Sequence, residues 1–402
     1  MKNILFFPWR DWNSYKREGF RTREANILKT FVKSNKVGKI LCINRSTQPK
    51  YIEFLLKNRK NYLFKRTKNI NTLTEQILYK RTFSKLTKIN NKLYVLDIFY
   101  HLPNPKGNRL ERNKLFAKIL EQEINYAVSI VELGKNYLTW SCDITRSSLV
   151  NKFKNRNLVY DIIDNLIEHD QVGRDKEFYK KKYKEIEDIS NIIFTVSKSI
   201  KAELFSSHGK TYYIPNGIDL SKYHVQKNIE NKRPKVGYVG LMQERIDVKL
   251  LKYVIEKNGD IDFCFVGPIL TPKYFKELLK YKNVEFIGAV HHDLIPNYIN
   301  NFDACIIPHK VNKFTKSMNP LKLYEYLACG KHVITTNIPP AEEFKDIIYI
   351  TNEYEIFSNY VHDAVYKPYS NFSQEMISNK IKLHDWENKI QEMINIIEKF
   401  GD

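Results

Sequence analysis

Residues 302–335, FDACIIPHKVNKFTKSMNPLKLYEYLACGKHVIT, decide the fold. The stretch runs from a short apolar strand through a polar loop into a helix-length segment, then through Cys329-Gly330 into a second apolar strand. Continuous apolar strands bounded by turn residues belong to parallel sheets covered on both faces. Asn319 reads as an N-cap, Pro320 as the first helical residue and Leu321 as the second, with Cys329-Gly330 as the stop. A helix start preceded by Lys313, Thr315 and Lys316 is an anion site, because free N–H groups and the helix dipole face whatever sits there. Lys322 and Glu325 are three apart and share a face. Glu325 lies about 7.5 Å along the axis beyond Pro320, which matches the span from a diphosphate to the ribose of one nucleotide. A carboxylate there accepts two hydrogen bonds from a vicinal diol. The same spacing suits a surface Lys322–Glu325 pair on an amphipathic helix, so spacing alone leaves both readings open.

Outward from this unit, short apolar runs alternate with helix-length segments. Strands are expected at 3–7, 39–43, 93–99, 137–140, 158–163, 191–196 and 211–214, then at 235–239, 261–266, 284–287, 304–307, 332–335 and 347–350. The polar stretch QKNIENKRP at 226–234 has the composition of a linker. The expectation is α/β: two Rossmann-like, doubly wound parallel-sheet domains facing a cleft, since such sheets bind ligands beyond the carboxyl ends of their strands. The first domain is placed at 1–226, the linker at 227–234, the second domain at 235–373, and a tail helix packing back towards the first domain at 374–402. Residues 50–92 show poor strand signals and are expected to be helical.

The 302–335 stretch resembles the donor-binding segment of the GT-B glycosyltransferases, in particular the family 4 branch and its relatives in bacterial exopolysaccharide and teichuronic acid synthesis. Pro308, Asn312, Thr315, Asn319, Pro320, Lys322, Glu325, Tyr326, Ala328, Gly330, Lys331 and Val333 fall in register with that family's pattern. The resemblance implies a nucleotide diphosphate sugar donor, UDP-linked by the commonest case, with Glu325 on the ribose. His309 stands where an aromatic is usual. Ser317 stands where a second glutamate often contacts the donor sugar, which leaves the sugar open. VGYVGLMQERIDVKL at 236–250 resembles the family's first strand and turn, with Gly240 admitting the diphosphate and Arg245 neutralising it. Arg245 could equally pair with Glu244 or Asp247. FVGP at 265–268, with Gly267, and FIGAV at 286–290, with Val290, resemble the lining of the base pocket. The resemblance covers most of 158–400.

In the first half, LVYDIIDN at 158–165 resembles the family's Tyr-Asp-x-x-Asp segment, a strand ending in carboxylates. A carboxylate there can take the acceptor hydroxyl proton or stabilise an oxocarbenium-like centre. Asp164 is the preferred catalytic candidate. Asp161 is the second, with loop-holding as its alternative; Asn165, Glu168 and His169 lie close by. After the first strand, Arg10, Asp11 and Trp12 are expected at the cleft mouth, where an aromatic stacks on sugar and Arg meets phosphate, or else as a packed loop.

The formal net charge is +21. Residues 50–92 hold many bases among aromatics, which suits an anionic membrane surface, a solvated face or nucleic acid, in that order. No helix-turn-helix, zinc or RNA-recognition signature supports nucleic acid, and none is expected. The five cysteines are scattered without a CxxC pair and read as buried free thiols. The His291-His292 pair has no further ligand at metal spacing, and no metal or cofactor is expected. No apolar run is long enough to span a bilayer, so a cytoplasmic protein is expected, peripheral on the inner face of the membrane if the basic segment binds lipid. The acceptor is expected to be a glycan, lipid-linked. A sugar-nucleotide epimerase of the same fold is the alternative enzyme, and a non-catalytic basic nucleic-acid- or glycan-binding protein the alternative class.

Overall fold

The computed structural model describes residues 2–47, 75–100, 114–154, 157–169, 175–226, 231–367 and 372–400. The first sheet has nine strands: β1 Lys2–Phe7, β2 Val37–Ile43, β3 Gln76–Lys80, β4 Ser84–Lys88, β5 Leu93–Ile98, β6 Leu138–Ser141, β7 Asn157–Ile162, β8 Ile192–Thr195 and β9 Thr211–Tyr213. Their order is β3-β4-β5-β2-β1-β6-β7-β8-β9. The second sheet has six: β10 Lys235–Val239, β11 Asp262–Val266, β12 Val284–Gly288, β13 Ala304–Ile307, β14 His332–Thr335 and β15 Tyr349–Ile350, ordered β12-β11-β10-β13-β14-β15 and parallel throughout. Every strand read from the sequence is present within a few residues. Order reverses at β1/β6 and at β10/β13, so each sheet opens its ligand crevice there.

One expected element is absent among the described residues. Residues 76–88 are not helical: β3 and β4 form an antiparallel hairpin that extends the sheet beyond β5. The signal was the alternation in QILYK and SKLTK around a three-residue turn, masked by the many lysines. Residues 48–74, the greater part of the basic segment, lie outside the described residues.

The crossing between domains also falls earlier than the polar linker. Ile214 packs in the first domain's core, whereas Ile218 and Tyr223 already belong to the second's. The return crossing is equally sharp. Phe372, Ile377 and Ile381 pack in the second core, while Trp386, Ile390, Met393 and Ile397 of the helix Trp386–Phe400 pack in the first. The two crossings run side by side: Ile218 N–H donates to His384 O at 2.8 Å and Trp386 N–H to Ile218 O at 3.0 Å. Apolar burial, not polarity of the chain, decides where a domain ends.

Candidate active site

The two loops that leave the second sheet's switch point are laced together. Asp247 N–H donates to Pro308 O and Lys310 N–H to Arg245 O, each at 2.8 Å. Arg245 is therefore held beside the 310–320 loop. Its Nε and Nη2 donate to the Gln243 amide oxygen at 2.7 Å each once that amide faces them, and its Nη1 lies 3.9 Å from Met318 Sδ. No ion pair joins it to Glu244 or Asp247. Glu244 is exposed, and Asp247 caps the helix Val248–Lys257 while accepting the Tyr354 hydroxyl at 3.0 Å.

Lys322 reaches over the same turn. Its ammonium lies 3.8 Å from the Tyr238 ring centroid and donates to the Tyr238 hydroxyl. A Cβ on Gly240 would meet Lys322 Nζ at 2.9 Å. Burial first, then Arg245, push Lys322 well below the ordinary lysine range, and Glu325 pulls the other way. Among the described residues neither cation has a carboxylate bound to it. A cation over a glycine turn, with a second close enough to depress its pKa, is the electrostatics of an anion site.

The floor of that site has no side chains. β10, β11 and β12 run out at Gly240, Gly267 and Gly288, all at positive φ (140°, 143° and 82°). Gly240 N–H donates to Val266 O and Gly267 N–H to Gly288 O, both at 2.8 Å. A Cβ on Gly267 would fall 2.0 Å from Gly240 O, so only glycine fits. Val290 follows, half-buried against the core. A phosphate or sugar can therefore approach backbone directly.

Glu325 lies on the helix Leu321–Ala328, and its side chain is 12% exposed. Its Oε1 accepts from the Tyr223 hydroxyl at 3.1 Å, with His292 Nε2 at 3.4 Å. Burial alone would raise its pKa, but His292, Tyr223 and Lys222 outweigh that and hold it below the usual value. The surface Lys322–Glu325 pair that the sequence allowed does not form; each residue turns to other partners.

One donor-side expectation, the Asn319 cap, is corrected, and Thr315 and Lys316 are placed by their own contacts. Pro320, not Asn319, occupies the cap position: its ψ of 117° is extended, which moves the helix start to Leu321 and leaves the first amides without a side-chain cap. Asn319 instead ties the domains together, donating to Val196 O at 2.9 Å and accepting from Asn216 Nδ2 at 2.6 Å. Thr315 is fully buried in a capping box with Asn312 and donates to Lys310 O at 2.6 Å, so it shapes the loop. Lys316 is exposed, and its carbonyl accepts from Ser199 of the first domain at 3.1 Å.

Across the cleft, Asp161 is a structural ion pair. Arg23 Nε and Nη2 grip both its oxygens at 2.9–3.1 Å, both residues are fully buried, and Arg23 also donates to Pro215 O at 3.0 Å. A carboxylate so engaged is unsuited to proton transfer. Asp164 is different. Solvent reaches its side chain in the cleft, yet the surrounding walls push its pKa up to about 6, against the pull of Arg245 from the other domain. His169 rests on Phe314 of the 310–320 loop, ring centroids 4.6 Å apart.

The cleft-mouth triplet is largely architectural. Asp11 caps the helix Trp12–Glu18, Trp12 is buried edge-on to Phe20, and Arg10 is ion-paired to Glu18. Sequence reasoning missed Arg23, Tyr223 and His292. The Arg23–Asp161 contact joins residues far apart in the chain, and no local pattern announces it; the HH dipeptide at 291–292 was visible but was weighed only as a metal site. Among the described residues no group of three or more His, Cys, Asp or Glu is placed to hold a metal ion, and all five cysteines are free and buried. No described helix is long and apolar enough to cross a membrane.

Comparison with known proteins agrees with this geometry. The family model of glycosyl transferases group 1 matches residues 233–359. TuaH of Bacillus subtilis (strain 168), provisionally described as a teichuronic acid biosynthesis glycosyltransferase, is 27% identical over 157 residues, 37% of this chain and 40% of that protein. That match therefore spans about two-fifths of the relative's length. Among solved structures, sucrose-phosphate synthase from Thermosynechococcus elongatus superposes with a TM-score of 0.68 at 13% identity, covering 99% of each chain. Anabaena HepE, in complex with UDP and glucose, gives 0.62 at 13% identity, covering 99% of this chain and 100% of its own. The chain has the GT-B fold. The match to the glycosyl transferases group 1 model falls on its second domain.

Proposed function

We propose that this chain transfers a glycosyl group from a nucleoside diphosphate sugar, bound by the second domain, to an acceptor hydroxyl held by the first. The position of Lys322 over the Gly240 turn, with Arg245 close enough to act on it and Glu325 on the same helix, carries this reading. In the reaction the bond between the sugar's anomeric carbon and the phosphate oxygen breaks, and the diphosphate leaves with the electron pair. The two cations stabilise that charge as it develops. Glu325 accepts the ribose hydroxyls. Asp164 takes the acceptor proton or faces the developing oxocarbenium centre. The transfer is redox-neutral and uses an activated donor, so it calls for no resident cofactor.

UDP is the proposed carrier; HepE, of the same fold, was solved with UDP and with UDP-glucose. The proposed acceptor is a lipid-linked surface glycan, reached from the cytoplasmic side of an anionic membrane. The net charge of +21 and the exposed Ile77 and Leu78 on the edge strand β3 support that setting. Sedimentation with acidic vesicles but not neutral ones supports it; equal partitioning removes it. Calorimetry with UDP, GDP and ADP tests the core reading. Wild type binds at least one of them, whereas Lys322→Ala and Glu325→Ala weaken that binding by about ten-fold or more, as expected for a lost charge-assisted contact. No binding of any of the three by wild type sinks it.

A further inference from the structure

Glu325 is the end of a chain of hydrogen bonds whose first member, the His292 ring, packs against the other domain and accepts at Nδ1 from Lys222. Buried Tyr223 donates to Glu325 Oε1 at 3.1 Å, and His292 Nε2 lies 2.9 Å from the Tyr223 oxygen. For Tyr223 to donate to the carboxylate, Nε2 must carry a proton and donate to Tyr223. The other ring nitrogen, Nδ1, lies 2.9 Å from Lys222 Nζ and 3.1 Å from the Gly19 carbonyl oxygen, and Lys222 is paired with Asp293 at 2.8 Å. Gly19 belongs to the first domain, where it ends the helix Trp12–Glu18 at φ 74°. A Cβ there would come 2.8 Å from His292 Cβ. The imidazole is thus wedged between a turn of one domain and the carboxylate of the other. Together with Phe20 and Trp386, Gly19, Lys222, Tyr223, His292 and Glu325 line one shallow pocket between the domains.

We propose that His292, through Tyr223 and by its own contact with the carboxylate, is the positioning residue for Glu325, and that the Gly19 turn against its imidazole makes the carboxylate's orientation depend on closure of the two domains. The proposal rests on the assignment of Glu325 to the donor's ribose. A lone glutamate on a helix samples several rotamers. A directed chain of two hydrogen bonds selects one, and that order passes into donor affinity. Closing the domains and gripping the donor then become one event.

The test compares full-length wild type with Glu325→Ala, Tyr223→Phe, His292→Ala, His292→Gln and Gly19→Ala. The probe is whichever of UDP, GDP or ADP binds wild type best, read by calorimetry, with donor KM and kcat measured beside it. Tyr223→Phe and His292→Ala are expected to weaken the nucleotide and raise donor KM by about ten-fold, with kcat changing less than about three-fold. His292→Gln, whose amide N–H replaces Nε2–H, recovers most of the loss, which a mere packing role would not predict. Gly19→Ala raises KM in the same way from a residue that carries no side chain to the donor. Unchanged nucleotide affinity in Tyr223→Phe and His292→Ala, with Glu325→Ala still impaired, overturns the proposal and leaves the ribose assignment standing. A fall in kcat alone overturns it as well. Equal binding by wild type and Glu325→Ala removes the ribose assignment and this inference with it.

Discussion

The Asp161 carboxylate takes three hydrogen bonds from Arg23 deep between β7 and the helix Arg23–Lys33, whereas Asp164, three residues on, stands in the cleft with its pKa pushed up to about 6. The sequence showed both carboxylates and ranked Asp164 first, but only the fold reveals that the partner of Asp161 is an arginine at the start of the chain. Asp161→Asn is expected to lose about 3–5 kcal/mol of stability by leaving Arg23 buried and unpaired, measured by chemical denaturation, while donor KM stays near wild type. Asp164→Asn should keep nucleotide binding and lose at least about a hundred-fold in kcat, as for a removed general base. If Asp164 is that base, the wild-type rate rises with pH through about 6. Its stability runs the opposite way. Between 3.8 and about 6 the folded state holds this proton and the unfolded state has released it, so stability falls as pH rises through that window. Asp164→Asn is therefore expected to melt above wild type at pH 7.5 and level with it near pH 4. An Asn variant that melts lower at pH 7.5 contradicts the raised pKa.

At the scale of elements, the donor side is built from three strand ends and one helix. Sequence periodicity found the strands, because buried parallel strands are continuous apolar runs, and it found the helix with its Cys329-Gly330 stop. It misplaced the helix start by one residue, because Asn-Pro fits both a cap followed by a first turn and an extended pair. It missed the β3–β4 hairpin, because lysine-rich alternation reads equally as an exposed helix face. Gly240 was legible as the place where a diphosphate approaches and Gly267 as part of a base pocket, but their mutual contact was not legible. Gly267→Ala sets a Cβ 2.0 Å from the Gly240 carbonyl oxygen at a φ of 143°. The expected result is a broken floor: nucleotide binding lost in calorimetry, with a fall in Tm. Gly134, also at positive φ but with open space around it, serves as the control. Its alanine variant should keep full nucleotide binding.

Across the whole molecule, the domains meet through paired crossings and a set of polar ties. Asn319 bonds to Val196 and Asn216, and Glu343 takes Tyr213 and Lys198. The two-domain plan was legible because the alternation of strands and helices repeats. The crossing points were not, since the polar stretch at 226–234 advertises a boundary that packing places near Pro215–Gly217. Trp386 lies against Gly217, with the Arg23 guanidinium 5.7 Å from its ring centroid. Trp386→Ala should cost about 3–5 kcal/mol, as for other large aromatic truncations, and lower Tm. The helix that Trp386 begins also sets a timetable. The first domain's strands are all made by residue 213, yet one wall of its core arrives only with residues 386–400. At about 5–20 residues per second, the nascent first half waits on the order of ten to thirty seconds with an oily face open. The part of the chain synthesised first is thus among the last to be sealed, and the cell must shelter it in the meantime.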